Sequence, residues 1–290
     1  MNSGSSFPGY YRYFFFIVMG AGLLWSCNTP GNPPVSGNAD TINKGTAALP
    51  DEEYAVQPTE VLKDYGTWYH YTYYNVILSQ DFIGLSADSV RIDKKTFLYQ
   101  LMNEKVVAFK IKRLREKPVY RLYKTNDHLD AAIRSTAAQL ASIEMNNFKR
   151  EGMPLPAFSF TDLKGQTYTN TSTKSKVLVL KCWFIHCVAC VREFPECNAL
   201  VNAYQNRNDV LFLSLAIDKK SELESFLKNR ELRYAVIPEM APYMTKELHI
   251  TSYPTHLLID RTGKIIKVVN KLDELEPFLK KAVEKPGSNK

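Results

Sequence analysis

The chain lacks several signatures that would have decided its class at once. Its N-terminal apolar run, residues 13–25, falls short of the ~20 residues that span a bilayer comfortably. No nucleic-acid motif accompanies the formal charge of +7, and the lysines and arginines are scattered, so the excess reads as a solvated, mildly basic surface rather than a nucleic-acid footprint. Between residues 52 and 150 there is no acid pair, no nucleophile–base arrangement and no phosphate loop. Cysteine is scarce, five in 290 residues, which lets each one be weighed separately. What is present is enough to build a core: 45% of residues are hydrophobic and 23% charged, at a length that fits one large or two ordinary domains.

The chain divides by composition. Arg12, the apolar run and the small or polar residues after it read as a signal peptide over residues 1–26. Residues 27–51, rich in Asn, Pro, Gly and Thr, read as a flexible tether. From residue 52 to 150 the chain becomes mixed and aromatic. Trp68 to Tyr74 fit a buried strand or helix, and core is favoured over a partner-binding surface. Asp93 is placed as the cap of a helix to about Asn103, followed by strands over 106–112 and 119–123. Asp127 is placed as the cap of a long helix to about Arg150, with Leu129, Ile133, Leu140 and Ile143 on or near one face. This predicts a small α+β domain that positions the remainder or recognises a partner.

Residues 153–285 form the second folded segment, where chemistry concentrates. A strand-like run over 176–183 gives way to a helical run from Val188, and Cys187 and Cys190 sit at the junction. A helix start offers backbone N–H groups and a positive dipole end, which favour thiolate over thiol. A thiol of pKa ~8.5 is about 3% ionised at pH 7, whereas ~6.5 gives roughly three quarters. Cys187 is therefore expected to be the exposed attacker and Cys190 the shielded resolving thiol. Cys182, Cys187 and Cys190, with Cys197, match an iron–sulfur spacing. Cys182 lies within an apolar strand and Cys197 on a helix, so no metal is expected and both read as small buried hydrophobes; a disulfide between them stays open.

The string from Trp183 through His186, Cys187, Cys190 and Glu193 to Pro195, with Tyr253, Pro254 and Thr255 downstream, resembles the thioredoxin-like thiol-disulfide oxidoreductases of the TlpA/ResA type. The resemblance implies an α/β, thioredoxin-like fold behind the small α+β domain. It also implies a redox-active Cys187–Cys190 disulfide with no other cofactor, and Pro254 as a cis-proline against it. Tyr253 then offers backbone groups to substrate, with Trp183 and His186 beside it, and Glu193 moves protons near the thiols. His186 and Val188-Ala189 depart from the usual aromatic residue and gap proline. Lys181 stands where such domains often carry a buried acidic or neutral group; either it pairs with Glu193 or it reaches solvent from the strand end.

Leu24-Trp25-Ser26-Cys27 resembles a lipobox, which implies lipidation of Cys27 and a periplasm-facing place in the bacterial envelope, anchored to a membrane. Plain secretion and an uncleaved anchor stay open. The family implies protein disulfide substrates, apocytochrome c among them, and a membrane electron-transfer protein as reductant. Competing readings are a peroxiredoxin-type peroxidase, a Sco-type copper protein using His256, and a non-catalytic metal- or protein-binding lipoprotein.

Overall fold

The computed structural model describes residues 53–112 and 117–284. Cys27, the signal segment and the tether lie outside the described residues. The first half opens with a short turn of helix, α1 (Pro58–Val61), and α2 (Tyr65–Asn75), which Asp64 caps by accepting from the Thr67 N–H. Strands β1 (Ile83–Leu85) and β2 (Arg91–Ile92) precede α3 (Lys94–Asn103), capped by Asp93 as expected. Then follow β3 (Val106–Lys110), β4 (Val119–Lys124) and the long α4 (Ala131–Arg150). The cap of α4 is Asp130 rather than Asp127. Asp130 accepts from the Ala132 N–H, whereas Asp127 is held by Lys105.

These strands form a four-stranded sheet in the order β2-β1-β4-β3, with β1 and β4 parallel. Its core joins Trp68, Tyr71, Phe97, Phe109, Tyr120 and Ile133. The expectation that the aromatic segment is core holds for only part of it. Trp68 and Tyr71 are buried, but Tyr69, Tyr73 and Tyr74 are exposed, because a 3.6-residue period cannot turn every ring of such a run inward. Along α4 the buried apolar positions are Ile133, Ala137, Ala141 and Met145, while Leu140 and Ile143 are only half-buried.

The second half begins with the hairpin β5 (Ser159–Thr161) and β6 (Thr167–Thr169), then β7 (Val177–Trp183). Two helices follow, α5 (Val188–Arg192) and α6 (Phe194–Ala203). Next come β8 (Val210–Ala216), α7 (Lys220–Leu227), β9 (Ala235–Ile237) and a π-turn at Tyr243–Glu247. The chain closes on β10 (Thr255–Ile259), β11 (Ile265–Val269) and α8 (Leu272–Glu284). The sheet order is β11-β10-β7-β8-β9, with β7, β8 and β9 parallel and β10 antiparallel to its neighbours.

Every residue of β7 is buried, as expected for a central strand covered on both faces. Strand alternation sends Leu178, Leu180 and Cys182 to one face and Val177, Val179 and Lys181 to the other. The halves meet along α4, which packs against the edge strand β11. Gly152 donates to the Ile265 carbonyl (2.7 Å) and Ile265 donates to that of Met153 (2.9 Å), so the chain leaving α4 occupies a free sheet edge. Lys267 of β11 pairs with Glu151 at 2.7 Å.

Candidate active site

The thiol pair sits where β7 ends. The turn after Trp183 is tied by the Cys187 N–H to the Phe184 carbonyl (3.1 Å) and by the Ile185 N–H to Asp218 Oδ2 (2.9 Å). Asp218, just past β8, is a positioning residue that the sequence did not single out. Cys187 is the N-cap of α5, in extended conformation, and its sulfur accepts from the Cys190 N–H at 3.2 Å. The two cysteines are joined as a disulfide, S–S 2.00 Å.

Cys187 is less open than expected. It is 8% exposed and Cys190 fully buried, because Tyr253, Phe184 and Ile185 close over the pair. The order of access expected for attacker and resolver is kept, within a narrow opening.

Helix α5 stops after one turn because Pro195 has no N–H to continue the ladder. The break at Glu193 turns its side chain inward. Lys181 and His256 are register partners on β7 and β10, on the face covered by α6 and α8. Glu193 Oε2 meets Lys181 Nζ at 2.5 Å and His256 Nε2 at 3.0 Å, and Oε1 accepts from the Leu272 N–H at 3.2 Å. Lys181 is completely buried; the reading in which it reaches solvent is excluded.

Burial alone would raise the Glu193 pKa, but the hydrogen bond from His256 and the ammonium of Lys181 outweigh it and hold the carboxyl below its ordinary range. Burial and the Lys181 charge push His256 below its usual value. At neutral pH the site therefore contains a carboxylate, an ammonium and a neutral imidazole that donates Nε2–H. His256 Nδ1 is buried with no hydrogen-bond partner among the described residues. The sequence named His256 only as an imaginable copper ligand. Its true neighbour was hidden because strand register, not sequence distance, sets Lys181 opposite it.

Tyr253-Pro254 is a cis peptide bond. The Tyr253 ring stands edge-on to Phe184 at 5.4 Å, within the cluster that holds Cys187. Asn270 Nδ2 fastens this loop, its two N–H groups shared among the Pro254 carbonyl (2.8 Å), Ser252 Oγ (3.0 Å) and Thr255 Oγ1 (2.9 Å). Its Oδ1 accepts from Asn147 Nδ2 of α4 at 2.8 Å, so the first half of the chain helps to hold the loop. Asn147 and Asn270 carried no signal in the sequence, since a buried amide pair has no spacing of its own.

Trp183 is not a substrate contact, contrary to the sequence reading. It is fully buried, its indole N–H donates to Ser214 Oγ, and its ring packs edge-on against Phe194 at 5.0 Å. It is a wall behind the disulfide. His186 lies exposed beside Cys187. Cys182 and Cys197 lie on opposite faces of the sheet, which rules out the disulfide between them; burial pushes their thiols up to about 12 and about 11.

Residues 150–282 match the Redoxin family. They are a thioredoxin-like thiol-disulfide oxidoreductase domain. The chain is 28% identical over 133 residues to the thiol-disulfide oxidoreductase ResA of Bacillus thuringiensis, covering 45% of this chain and 77% of that one. It is 26% identical over 118 residues to ResA of Geobacillus thermodenitrificans, 41% and 68% of the two chains. A solved thiol-disulfide oxidoreductase from Bacteroides fragilis overlays 44% of this chain and 98% of its own, at 22% identity and a TM-score of 0.41. The Redoxin match begins at the last residue of α4, so the first sheet lies outside it.

Proposed function

We propose that this oxidoreductase works as a reductant of protein disulfides in the bacterial envelope, facing the periplasm and held to a membrane by a lipid on Cys27. The observation that carries the thiol chemistry is the Cys187–Cys190 disulfide with a backbone N–H aimed at the Cys187 sulfur. The direction and the location rest on the TlpA/ResA resemblance and on the signal-like segment with Cys27.

In the reduced form the Cys187 thiolate attacks a substrate disulfide. A Cys187–substrate S–S bond forms while the substrate S–S bond breaks, and the departing sulfur takes a proton from solvent. Cys190 then loses its proton and attacks the Cys187 sulfur, closing the internal disulfide and releasing the second substrate thiol. The substrate gains two electrons and the pair loses two. A membrane electron-transfer protein restores the dithiol, and disulfides of apocytochrome c or misoxidised envelope proteins are the substrates. Tyr253 and Pro254 hold the substrate chain beside the sulfurs, with His186 at the rim. Glu193, kept ionised by its partners, supplies a fixed negative charge near the pair and accepts a proton only transiently.

Equilibration with glutathione buffers tests the direction. A midpoint near ~−270 mV fits a reductant, and one near ~−120 mV would mark an oxidant and overturn the reading. A Cys190→Ala variant should accumulate substrate on Cys187, and a failure to recover any mixed disulfide removes the proposed mechanism. Mass spectrometry of membrane-extracted protein checks the lipid on Cys27.

A further inference from the structure

Part of the aromatic surface of α2 takes no part in the core. Tyr65, Tyr69 and Tyr73 follow one another at four-residue intervals and so share a helix face. Tyr65 and Tyr69 stack at 5.8 Å, and Tyr73 continues the row at 6.3 Å. Tyr69 and Tyr73 are 42% and 44% exposed. Grouped rings left in water mark an interaction surface more than an accident of packing.

The row leads into a cleft of about 290 Å³. Ile77 and Leu78, just beyond α2, and the half-buried Leu140 and Ile143 of α4 give it an apolar wall. Ser252 and Tyr253 line it too. Tyr253 therefore lines this cleft and also belongs, through Phe184, to the cluster around Cys187. One side chain joins the cleft to the disulfide.

The charges at the cleft are already answered from within the protein. Lys271 lies 3.5 Å from Glu274 and its ammonium sits 3.6 Å from the Tyr73 ring centroid. Glu274 accepts from Ser79 Oγ at 2.5 Å, and Glu144 is paired with Lys94 at 2.7 Å. A charged occupant would find no free counter-charge and would lose water; an uncharged, apolar or aromatic one loses neither.

We propose that the tyrosine row and this cleft dock the stretch of substrate protein adjoining its reacting cysteine, an extended, uncharged segment bearing apolar or aromatic side chains. The first half of the chain thereby acts as a specificity element for the thiol pair. The inference rests on the reading of Cys187 and Cys190 as the site of disulfide exchange.

The test uses the full chain, reduced, against three disulfides. One is 5,5′-dithiobis(2-nitrobenzoate), too small to reach the cleft. The other two are decapeptides carrying one cysteine as its nitrothiobenzoate mixed disulfide, one flanked by Leu, Tyr and Pro and the other by Asp and Lys. The unaltered protein should prefer the apolar peptide. A Tyr69→Ser/Tyr73→Ser variant should lose about tenfold in kcat/KM for that peptide, the size of a modest aromatic hot spot. It should keep its rate on the small disulfide, and Tyr69→Phe/Tyr73→Phe should restore the peptide rate. No preference between the peptides, or an equal loss on peptide and small disulfide, overturns the proposal.

A second measurement separates this outcome from a failure of the exchange chemistry. The apolar peptide with serine in place of cysteine is titrated into the oxidised protein by calorimetry. Binding about tenfold weaker in the serine variant supports docking even if no disulfide reacts; equal binding, or binding of a soluble peptidoglycan fragment in the peptide's place, refutes it.

Discussion

Besides Lys267–Glu151, which joins the two halves, each half has among its described residues a buried lysine–glutamate pair of its own, and these two are built differently. In the first half Lys94 of α3 meets Glu144 of α4 at 2.7 Å, and burial still raises the Glu144 pKa above its ordinary value. Under the disulfide, Lys181 meets Glu193 at 2.5 Å, and the Glu193 pKa falls. The difference lies in the number of donors. Glu193 receives an ammonium, an imidazole N–H and the N–H of the first residue of α8. A buried carboxylate with one partner stays close to protonation, and one with three stays charged. The half that carries the thiols is thus the half that fixes a negative charge.

Removing the lysines breaks this comparison most sharply. Lys181→Met should cost about 3–5 kcal/mol in urea unfolding at pH 8, the usual penalty for orphaning a buried charge. The same variant should reverse the pH response of His256. In the unaltered protein the His256 pKa is depressed, so the unfolded chain binds the extra proton and stability falls as pH drops below about 6.5. Without Lys181 the imidazole becomes the cation that answers Glu193 and its pKa rises. Stability is then greatest below about 6.5 and is lost as pH climbs through the new value. Urea midpoints at pH 5.5 and 8 decide the sign.

Lys94→Met should be milder, about 1–3 kcal/mol, because Glu144 can take a proton and survive as a neutral group. Its loss should grow as pH rises above about 4.3, since a raised carboxyl pKa means the folded state holds the proton longer. Glu193 responds oppositely, with stability lost as pH falls below about 4.3. His256→Gln keeps a donor toward Glu193 and removes the titration, so the stability loss between about pH 6.5 and 5 should flatten in urea midpoints measured across that range. The smallest effect is expected from Asn147→Ala, about 0.5–1.5 kcal/mol in stability. It loosens the Pro254 loop through Asn270, and a modest rise in KM for a peptide disulfide with kcat little changed is the accompanying kinetic mark.

Much of the second half was legible in the sequence because its signals are local. The apolar run at β7 and the helix from Val188 lie where composition and period place them. Asp93 announced α3 because a cap is written in one residue. The α4 start was missed by three residues because the segment Asp127 to Asp130 offers two acids and only tertiary contacts choose between them. Trp183 misled because its place in the motif says nothing about which way a strand residue faces. The environment of Glu193 was half legible: Lys181 could be suspected from an odd lysine in an apolar strand, whereas His256 became visible only through the pairing of β7 with β10. The division of labour along α2, rings inward at Trp68 and Tyr71 and outward at Tyr69 and Tyr73, needs the helix phase, which a uniformly aromatic run does not reveal.

The placement of Cys182 and Cys197 has its own chemical result. The sheet separates them, and burial makes each thiol reluctant to ionise. Both are thereby kept poor nucleophiles for sulfur exchange. Once the pair is reduced, brief thiol labelling of the folded second half should therefore mark Cys187 and Cys190 ahead of Cys182 and Cys197.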